Sequence, residues 1–248
     1  MASFRFTWYG HSAVELELSE KRILIDPWLG NPRSPRVAAD IDACDVMLVT
    51  HGHFDHLGGE IGKLDQSDAV TIAKRTKPAW PCVHEMQLWL GRVLPEVTAE
   101  VTGMNVGGTM DARGLSVSMV RADHSAGDME DDRSLYLGSP AGFVIGAEDG
   151  TRIYHSGDTD VFGDMTIIRE LHAPQVAFLP IGGHYTMGPG AAAMAVGLLG
   201  VRKVVPLHYG TFPVLVGTPD ELRRALAGRG LADVEVLSPD PGETVTVG

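Results

Sequence analysis

The chain has 248 residues, enough to bury a large core in one domain or two. Its 44% hydrophobic content is that of a soluble globular protein, and no apolar run approaches the ~20 residues of a membrane span. A net charge of −12, from 32 acidic and 20 basic residues with no Lys/Arg-rich run, disfavours nucleic acid as a partner.

In chain order, strands are predicted over residues 5–8, 13–18 and 22–25, each closed by turn or polar residues. Asp26-Pro27 ends the third, and Asn31-Pro32-Arg33-Ser34-Pro35 is a loop. A strand over 45–49 follows, in which Val46-Met47-Leu48-Val49 reads as buried. A helix is expected around 60–64, a strand over 69–73 and a helix over 84–93, where Met86, Leu90 and Val93 have helical spacing. After Gly107-Gly108 come strands over 115–121, 142–147 and 152–155. The last third alternates: helix 165–171, strand 176–179, alanine-rich helix 190–199, strand 204–207, helix 219–227, then strands 234–237 and 244–247. With no Pro/Ser-rich linker and no short repeat, this order predicts one domain over 1–248, with mixed sheets inside and helices outside. Met1-Ala2-Ser3-Phe4-Arg5-Phe6 lacks the basic and apolar segments of a secretory signal. Cys44 and Cys82 are too few for a disulfide framework, so a reducing cytoplasm is the expected compartment.

The densest chemistry follows the 45–49 strand. His51-Gly52-His53-Phe54-Asp55-His56 gathers three imidazoles and one carboxylate on the loop leaving the strand's carboxyl end, where open α/β sheets bind ligands. A lone loop histidine is ordinarily a surface or satisfied polar group; four ligand-type side chains this close are hard to obtain by accident. Imidazole and carboxylate suit Zn²⁺ and similar borderline metals, and the lack of thiolate argues against a closed structural zinc site. The spacing is not the H-E-x-x-H of a helical site. One catalytic metal usually takes three protein ligands, so four candidates here and more downstream point to two metals. The same strand-then-ligand pattern recurs at His124, Asp158 and His208, each with a small residue or glycine nearby.

With these residues the sequence resembles the metallo-β-lactamase superfamily, whose signature is H-x-H-x-D-H followed by distant His, Asp and His. It is most similar to a subgroup of metal-dependent hydrolases related to L-ascorbate-6-phosphate lactonase. That narrower likeness rests on Trp8-Tyr9-Gly10-His11-Ser12, Leu24-Ile25-Asp26-Pro27, Ile181-Gly182-Gly183-His184-Tyr185-Thr186-Met187-Gly188 and His208-Tyr209-Gly210-Thr211-Phe212-Pro213. It runs from Trp8 to about Pro219, and is specific for the superfamily but weak for substrate. The resemblance implies an α/β fold, a four-layer αββα sandwich of two mixed sheets flanked by helices, with the site at one edge. It implies that His51, His53 and His124 hold a first metal, that Asp55, His56 and His208 hold a second, and that Asp158 bridges them. Asp26 matches an aspartate beneath the ligands; equally, an Asp before Pro simply ends a strand. The expected cofactors are two divalent ions, Zn²⁺ foremost, with Mn²⁺, Fe²⁺, Co²⁺ or Ni²⁺ also suited to the set.

Two divalent cations about 3.5–4 Å apart can share a water and lower its pKa toward ~7. The expected activity is therefore hydrolysis of a small ester, lactone or phosphoester by a metal-bridged hydroxide, with Asp55 in the catalytic set. His184, in a glycine-rich loop between the last two ligands, is expected to act as general acid or to hold a substrate oxygen. His11 lies near the site in the family, without an assigned role, and Tyr185, Tyr209 and Phe212 are candidate pocket walls. His84, His155 and His172 read as structural. Bound cations would reverse the acidic charge locally, which admits a small anionic substrate; no membrane partner is expected. The alternatives are a phosphodiesterase, such as a nuclease or phospholipase, and a non-catalytic metal-binding module. Low basic content and the lack of an amphipathic anchor weigh against the first, and occupancy of all seven ligand positions against the second. His53 stands where flavo-diiron relatives carry Glu, which argues against oxygen or nitric oxide reduction. The missing secretion signal argues against β-lactamase activity.

Overall fold

The computed structural model describes residues 3–95, 100–130 and 132–248. In chain order the elements are β1 (Phe4–Trp8), β2 (Val14–Leu18), β3 (Lys21–Ile25), β4 (Val46–Leu48), α1 (Phe54–Leu57), α2 (Asp68–Thr76), β5 (Trp80–Val83) and α3 (His84–Val93). There follow β6 (Val101–Met104), β7 (Thr109–Ala112), β8 (Leu115–Arg121), β9 (Asp128–Glu130), β10 (Arg133–Leu135), β11 (Ala141–Gly146) and β12 (Arg152–His155). The last third holds α4 (Met165–His172), β13 (Val176–Pro180), α5 (Pro189–Leu199), β14 (Lys203–Leu207), α6 (Pro219–Gly228), β15 (Glu235–Val236) and β16 (Thr244–Val247).

Two mixed sheets carry the fold. One has the order β16-β1-β2-β3-β4, antiparallel except for β3 beside β4. The other has the order β15-β14-β13-β12-β11-β8-β7, parallel from β15 to β12 and antiparallel from there to β7. Side-chain alternation along the second sheet sets the layers. Phe143, Ile145, Ile153, Val176, Phe178 and Val205 point into a core shared with the first sheet, where Phe6 meets Phe178 edge-on at 5.2 Å. Val144, Tyr154, Ala177, Leu179 and Val204 point the other way, onto α4, α5 and α6. Helices α2 and α3 pack with the first sheet. The result is the four-layer αββα sandwich of the metallo-β-lactamase fold. Among the described residues no helix is long and apolar enough to cross a membrane.

Two expected elements are corrected. Residues 69–73 form part of α2 rather than a strand. Their β-branched content suggested a strand, but the buried Ala69, Val70, Ile72 and Ala73 share one helical face, and the Ser67 hydroxyl caps the helix by accepting the Val70 N–H. No α-helix forms over 60–64; the chain turns there through Gly62, at φ 77°. Strands β5, β6, β7, β9 and β10 were not expected. Pro81 inside β5 disguised one, and the others have three or four residues each, mostly polar or half-exposed.

Candidate metal centre

The sheet edges deliver all seven expected ligand residues to one place. The loop after β4 brings His51, His53, Asp55 and His56, the last two on the single turn of α1. Loops after β8, β12 and β14 bring His124, Asp158 and His208. Ligand-type atoms converge within 4.8 Å in three sets: His51, His53 and His124; His11, Asp55, His56 and His208; and His51, His56 and Asp158. Asp158 thus groups with one imidazole from each of the other two sets. Its Oδ2 lies 3.0 Å from His208 Nε2, 3.3 Å from His56 Nε2 and 3.7 Å from His124 Nε2.

The backbone is bent to make this convergence. His11, Asp26, His184 and His208 all have φ between 46° and 61°, a left-handed conformation that costs a non-glycine residue about 1 kcal/mol. Gly157, at φ 63°, precedes Asp158; a Cβ there would press on Ala141 O and Thr50 Cβ, both 2.8 Å away. The Asp158 loop holds the His124 loop through the Thr159 hydroxyl, which accepts the Asp123 N–H at 2.9 Å. The His208 loop is pinned from the other side. His208 N–H donates to His11 O at 2.9 Å, and Arg33 lies over the rings of Trp8 and Tyr209 while donating to Tyr209 O at 3.1 Å.

A hydrogen-bond network beneath the loop sets which imidazole nitrogens face the centre. Fully buried Asp26 accepts the Thr50 N–H and the Thr50 hydroxyl, each at 2.8 Å, and pairs with His56 Nδ1 at 2.8 Å. With its proton given to Asp26, the Thr50 oxygen accepts from His51 Nδ1, 3.0 Å away. Both rings therefore carry their Nδ1 proton toward this network and turn Nε2 to the centre. Asp26 thus does more than end β3.

Charge is arranged unevenly. Burial, reinforced by neighbouring His56, lowers His51 and holds His53 down to about 4; burial also lowers His124. These three are neutral at pH 7. Burial works against protonation of His56 and His208 too, but Asp158 overcomes it, raising His56 and pushing His208 up to about 9. Burial opposes ionisation of Asp55 and Asp158, yet His11, His208 and His56 hold Asp55, and His208 and His56 hold Asp158, well below the usual carboxylate range.

The donor set fits a divalent cation. Asp158 Oδ1 and His56 Nε2 are buried without a partner in hydrogen-bond geometry, a costly state for polar atoms unless another group occupies the site. His51 Nε2 and His53 Nδ1 lie 2.9 Å apart in a thiolate-free set of the kind that borderline metals prefer.

His11 is the residue whose part the sequence left undefined. It is fully buried, its Nε2 lies 3.0 Å from Asp55 Oδ2, and its ring is 3.9 Å from that of His208. Burial lowers its pKa to about 4, so it is neutral and presents Nε2–H to Asp55. His184 is exposed, edge-on to Tyr185 at 4.4 Å; of the two, Tyr185 lines the cavity above the centre. That cavity measures about 800 Å³ and reaches His53, Asp55, His124, Asp158 and His208 at its floor. Phe212 lines it as expected, whereas Tyr209 stacks on Trp8 instead. Buried His155 stacks on Phe178, and His84 and His172 are the first and last residues of their helices, in keeping with structural roles.

Residues 21–209 match the Beta-lactamase superfamily domain, a span that includes all seven expected ligand positions. A UPF0173 metal-dependent hydrolase of Archaeoglobus fulgidus is 46% identical over 97% of this chain and 97% of its own length. Another, from Methanopyrus kandleri, is 42% identical over 97% of this chain and 98% of its own. The structure is also similar to that of Igni18, a metallo hydrolase of Ignicoccus hospitalis, with a TM-score of 0.84 at 37% identity over 100% of this chain and 99% of that one. The chain belongs to the metallo-β-lactamase superfamily, among the UPF0173 metal-dependent hydrolases.

Proposed function

We propose that this protein is a binuclear metal-dependent hydrolase of small esters, lactones or phosphoesters. The observation that carries this reading is the place of Asp158: its Oδ2 stands among three Nε2 atoms, its Oδ1 is unpartnered, and the cavity floor exposes it to a ligand. His51, His53 and His124 would hold one ion, Asp55, His56 and His208 the other, and the two oxygens of Asp158 suit a bridge. Bound divalent cations, Zn²⁺ foremost, supply Lewis acidity and a water acidified toward pKa ~7. Both sheets contribute ligands, which supports treating residues 1–248 as one domain, and the buried free thiols Cys44 and Cys82 support a cytoplasmic setting.

The remaining roles fall to the chain itself. Asp26 and Thr50 fix the tautomers of His51 and His56, while His11 and His208 hold Asp55. For leaving-group protonation the candidate is His184, on the loop whose Tyr185 lines the cavity. Its replacement, His184→Asn, is expected to lower turnover about 10²-fold with bound metal unchanged. Unchanged turnover would remove His184 from the chemistry, and loss of metal would make it a ligand. The test of the reading as a whole is hydrolysis of an ester, lactone and phosphoester panel before chelation, after it, and after return of Zn²⁺ or Mn²⁺. Turnover that vanishes and returns with metal supports it; turnover indifferent to chelation overturns it.

The uneven charge gives a second expectation. Metal-free protein at pH 7.5 holds protons on His56 and His208, whereas His51, His53 and His124 are already neutral. Filling both sites is expected to release about two protons per chain from these rings, and most of one more from a water acidified toward pKa ~7, measured by calorimetry in buffers of different ionisation enthalpy. The count should fall as pH rises through about 9, where His208 deprotonates unaided. The linkage sign agrees. His208 is raised above its unfolded value, so its contribution to metal-free stability is complete below pH ~6.5 and lost as pH rises toward 9. Metal uptake without proton release at pH 7.5 contradicts this assignment.

A further inference from the structure

We infer that the substrate of this site is an uncharged ester or lactone with an apolar acyl chain or ring, rather than a phosphorylated or carboxylated molecule. This rests on the hydrolase reading above and narrows it.

The cavity is two-sided. Its floor carries the ligand residues, and its wall carries Phe54, Ile61, Met129, Leu135 and Phe212. At about 800 Å³ it holds much more than an acetyl group or a bare lactone ring. Ile61 and Met129 are 61% and 40% exposed, so their side chains offer a substrate apolar surface that now faces water. Covering such surface is the driving force this wall offers a ligand.

The wall has no counter-charge for an anion. Among the described lining residues there is no Lys or Arg, and outside the ligand set the sole charged one is Asp128. Phosphate and carboxylate groups are ordinarily held by Arg or Lys forks. Here such a group, placed away from the reacting bond, would lie beside a carboxylate in a protein of net charge −12. Arg133, beside Ser134 on the β9–β10 hairpin, is exposed and outside the lining, and two cations on adjoining segments are paired. Lys63 pairs with Glu60 at 2.6 Å, and Arg92 with Glu130 at 2.7 Å. That second pair fastens the β9–β10 hairpin to α3, while Asp128 accepts the Gly62 N–H at 3.0 Å and ties the same hairpin to the loop after α1. Asp128 therefore holds the wall in place, and the hairpin presents Met129 and Leu135 to the cavity. Ser125, Ser134 and Tyr185 are the polar groups left to orient a neutral substrate.

The experiment uses metal-loaded full-length protein with two readouts. In the first, kcat/KM is measured for 4-nitrophenyl acetate, butyrate and octanoate and for 4-nitrophenyl phosphate. The expected result is a rise of about tenfold or more from acetate to octanoate, with the phosphate turned over least. Met129→Lys, at an exposed position that tolerates a long polar side chain, should cut the octanoate-to-acetate ratio about tenfold and raise the relative rate on the phosphate. In the second, the neutral fluorophore prodan is displaced from the cavity by octyl acetate or by octyl phosphate. Stronger displacement by octyl acetate supports the uncharged, apolar preference of the cavity, whereas hydrolysis of none of the three esters overturns the inference and leaves the hydrolase reading to its own chelation test. Rates independent of chain length, or preference for the phosphate in either readout, overturn the inference while leaving a metal-dependent hydrolase intact.

Discussion

Asp158→Ala is expected to lower turnover by about 10³-fold or more and to leave the purified protein short of its full metal content. The carboxylate lies near both ligand sets, 3.0 to 3.7 Å from three imidazoles carried by separate loops. It is also the main reason His56 and His208 are raised. Without it those rings lose their largest counter-charge, and three loops lose their common partner. Asp158→Asn separates shape from charge: the amide fills the same space but brings hydrogen-bond donors toward Nε2 atoms that must stay open. Both variants should fold, because the deficit is confined to loops above the sheets. The check is metal content by mass spectrometry together with turnover, with far-UV circular dichroism as a control for folding. Full metal and near-normal turnover in Asp158→Ala would exclude the bridging role.

Asp26→Ala is the second large effect, and it acts without touching the cavity. Asp26 is fully buried and serves the Thr50 N–H, the Thr50 hydroxyl and His56 Nδ1. Removing it leaves three buried polar groups without their acceptor and a raised His56 without one of its counter-charges. The expected cost is about 3–5 kcal/mol of stability for the metal-free protein, with metal affinity falling about 10–100-fold. Asp26→Asn should divide these effects. Its carbonyl can still accept the Thr50 N–H, so less stability is lost. Its amide, however, donates toward His56 Nδ1 and drives the proton to Nε2, the atom that must stay free for a metal. Denaturant unfolding of the metal-free variants and competition titrations with a chelator measure the two effects separately. A metal affinity unchanged in both variants would reduce Asp26 to the end of a strand.

The ligand loop was legible because its chemistry is local: three imidazoles and a carboxylate between His51 and His56, right after a buried strand. His124, Asp158 and His208 were legible for a related reason, since each follows a strand whose hydrophobic run ends at the sheet edge. The pairing of His11 with Asp55 was not, because 44 residues separate them and the contact needs left-handed backbone at His11, which no spacing rule announces. For Asp26 the sequence left two roles open, and the buried bonds to Thr50 and His56 decide for support of the ligands. The cavity wall was hidden most completely. It depends on a hairpin of two three-residue strands, Asp128–Glu130 and Arg133–Leu135, too short and too polar to register as strands, and on Ile61 in a stretch expected to be helical. Local pattern thus revealed the ligand-type residues of the cavity floor, whereas its wall depends on tertiary contacts between distant loops.

The most direct test of the binuclear assignment is a stepwise titration of metal-free protein with Zn²⁺, following bound metal and ester hydrolysis in the same samples. Two ions bound per chain, with turnover reaching its plateau only as the second site fills, is the predicted result. Saturation at one ion per chain, or full turnover in the chelated protein, would contradict it.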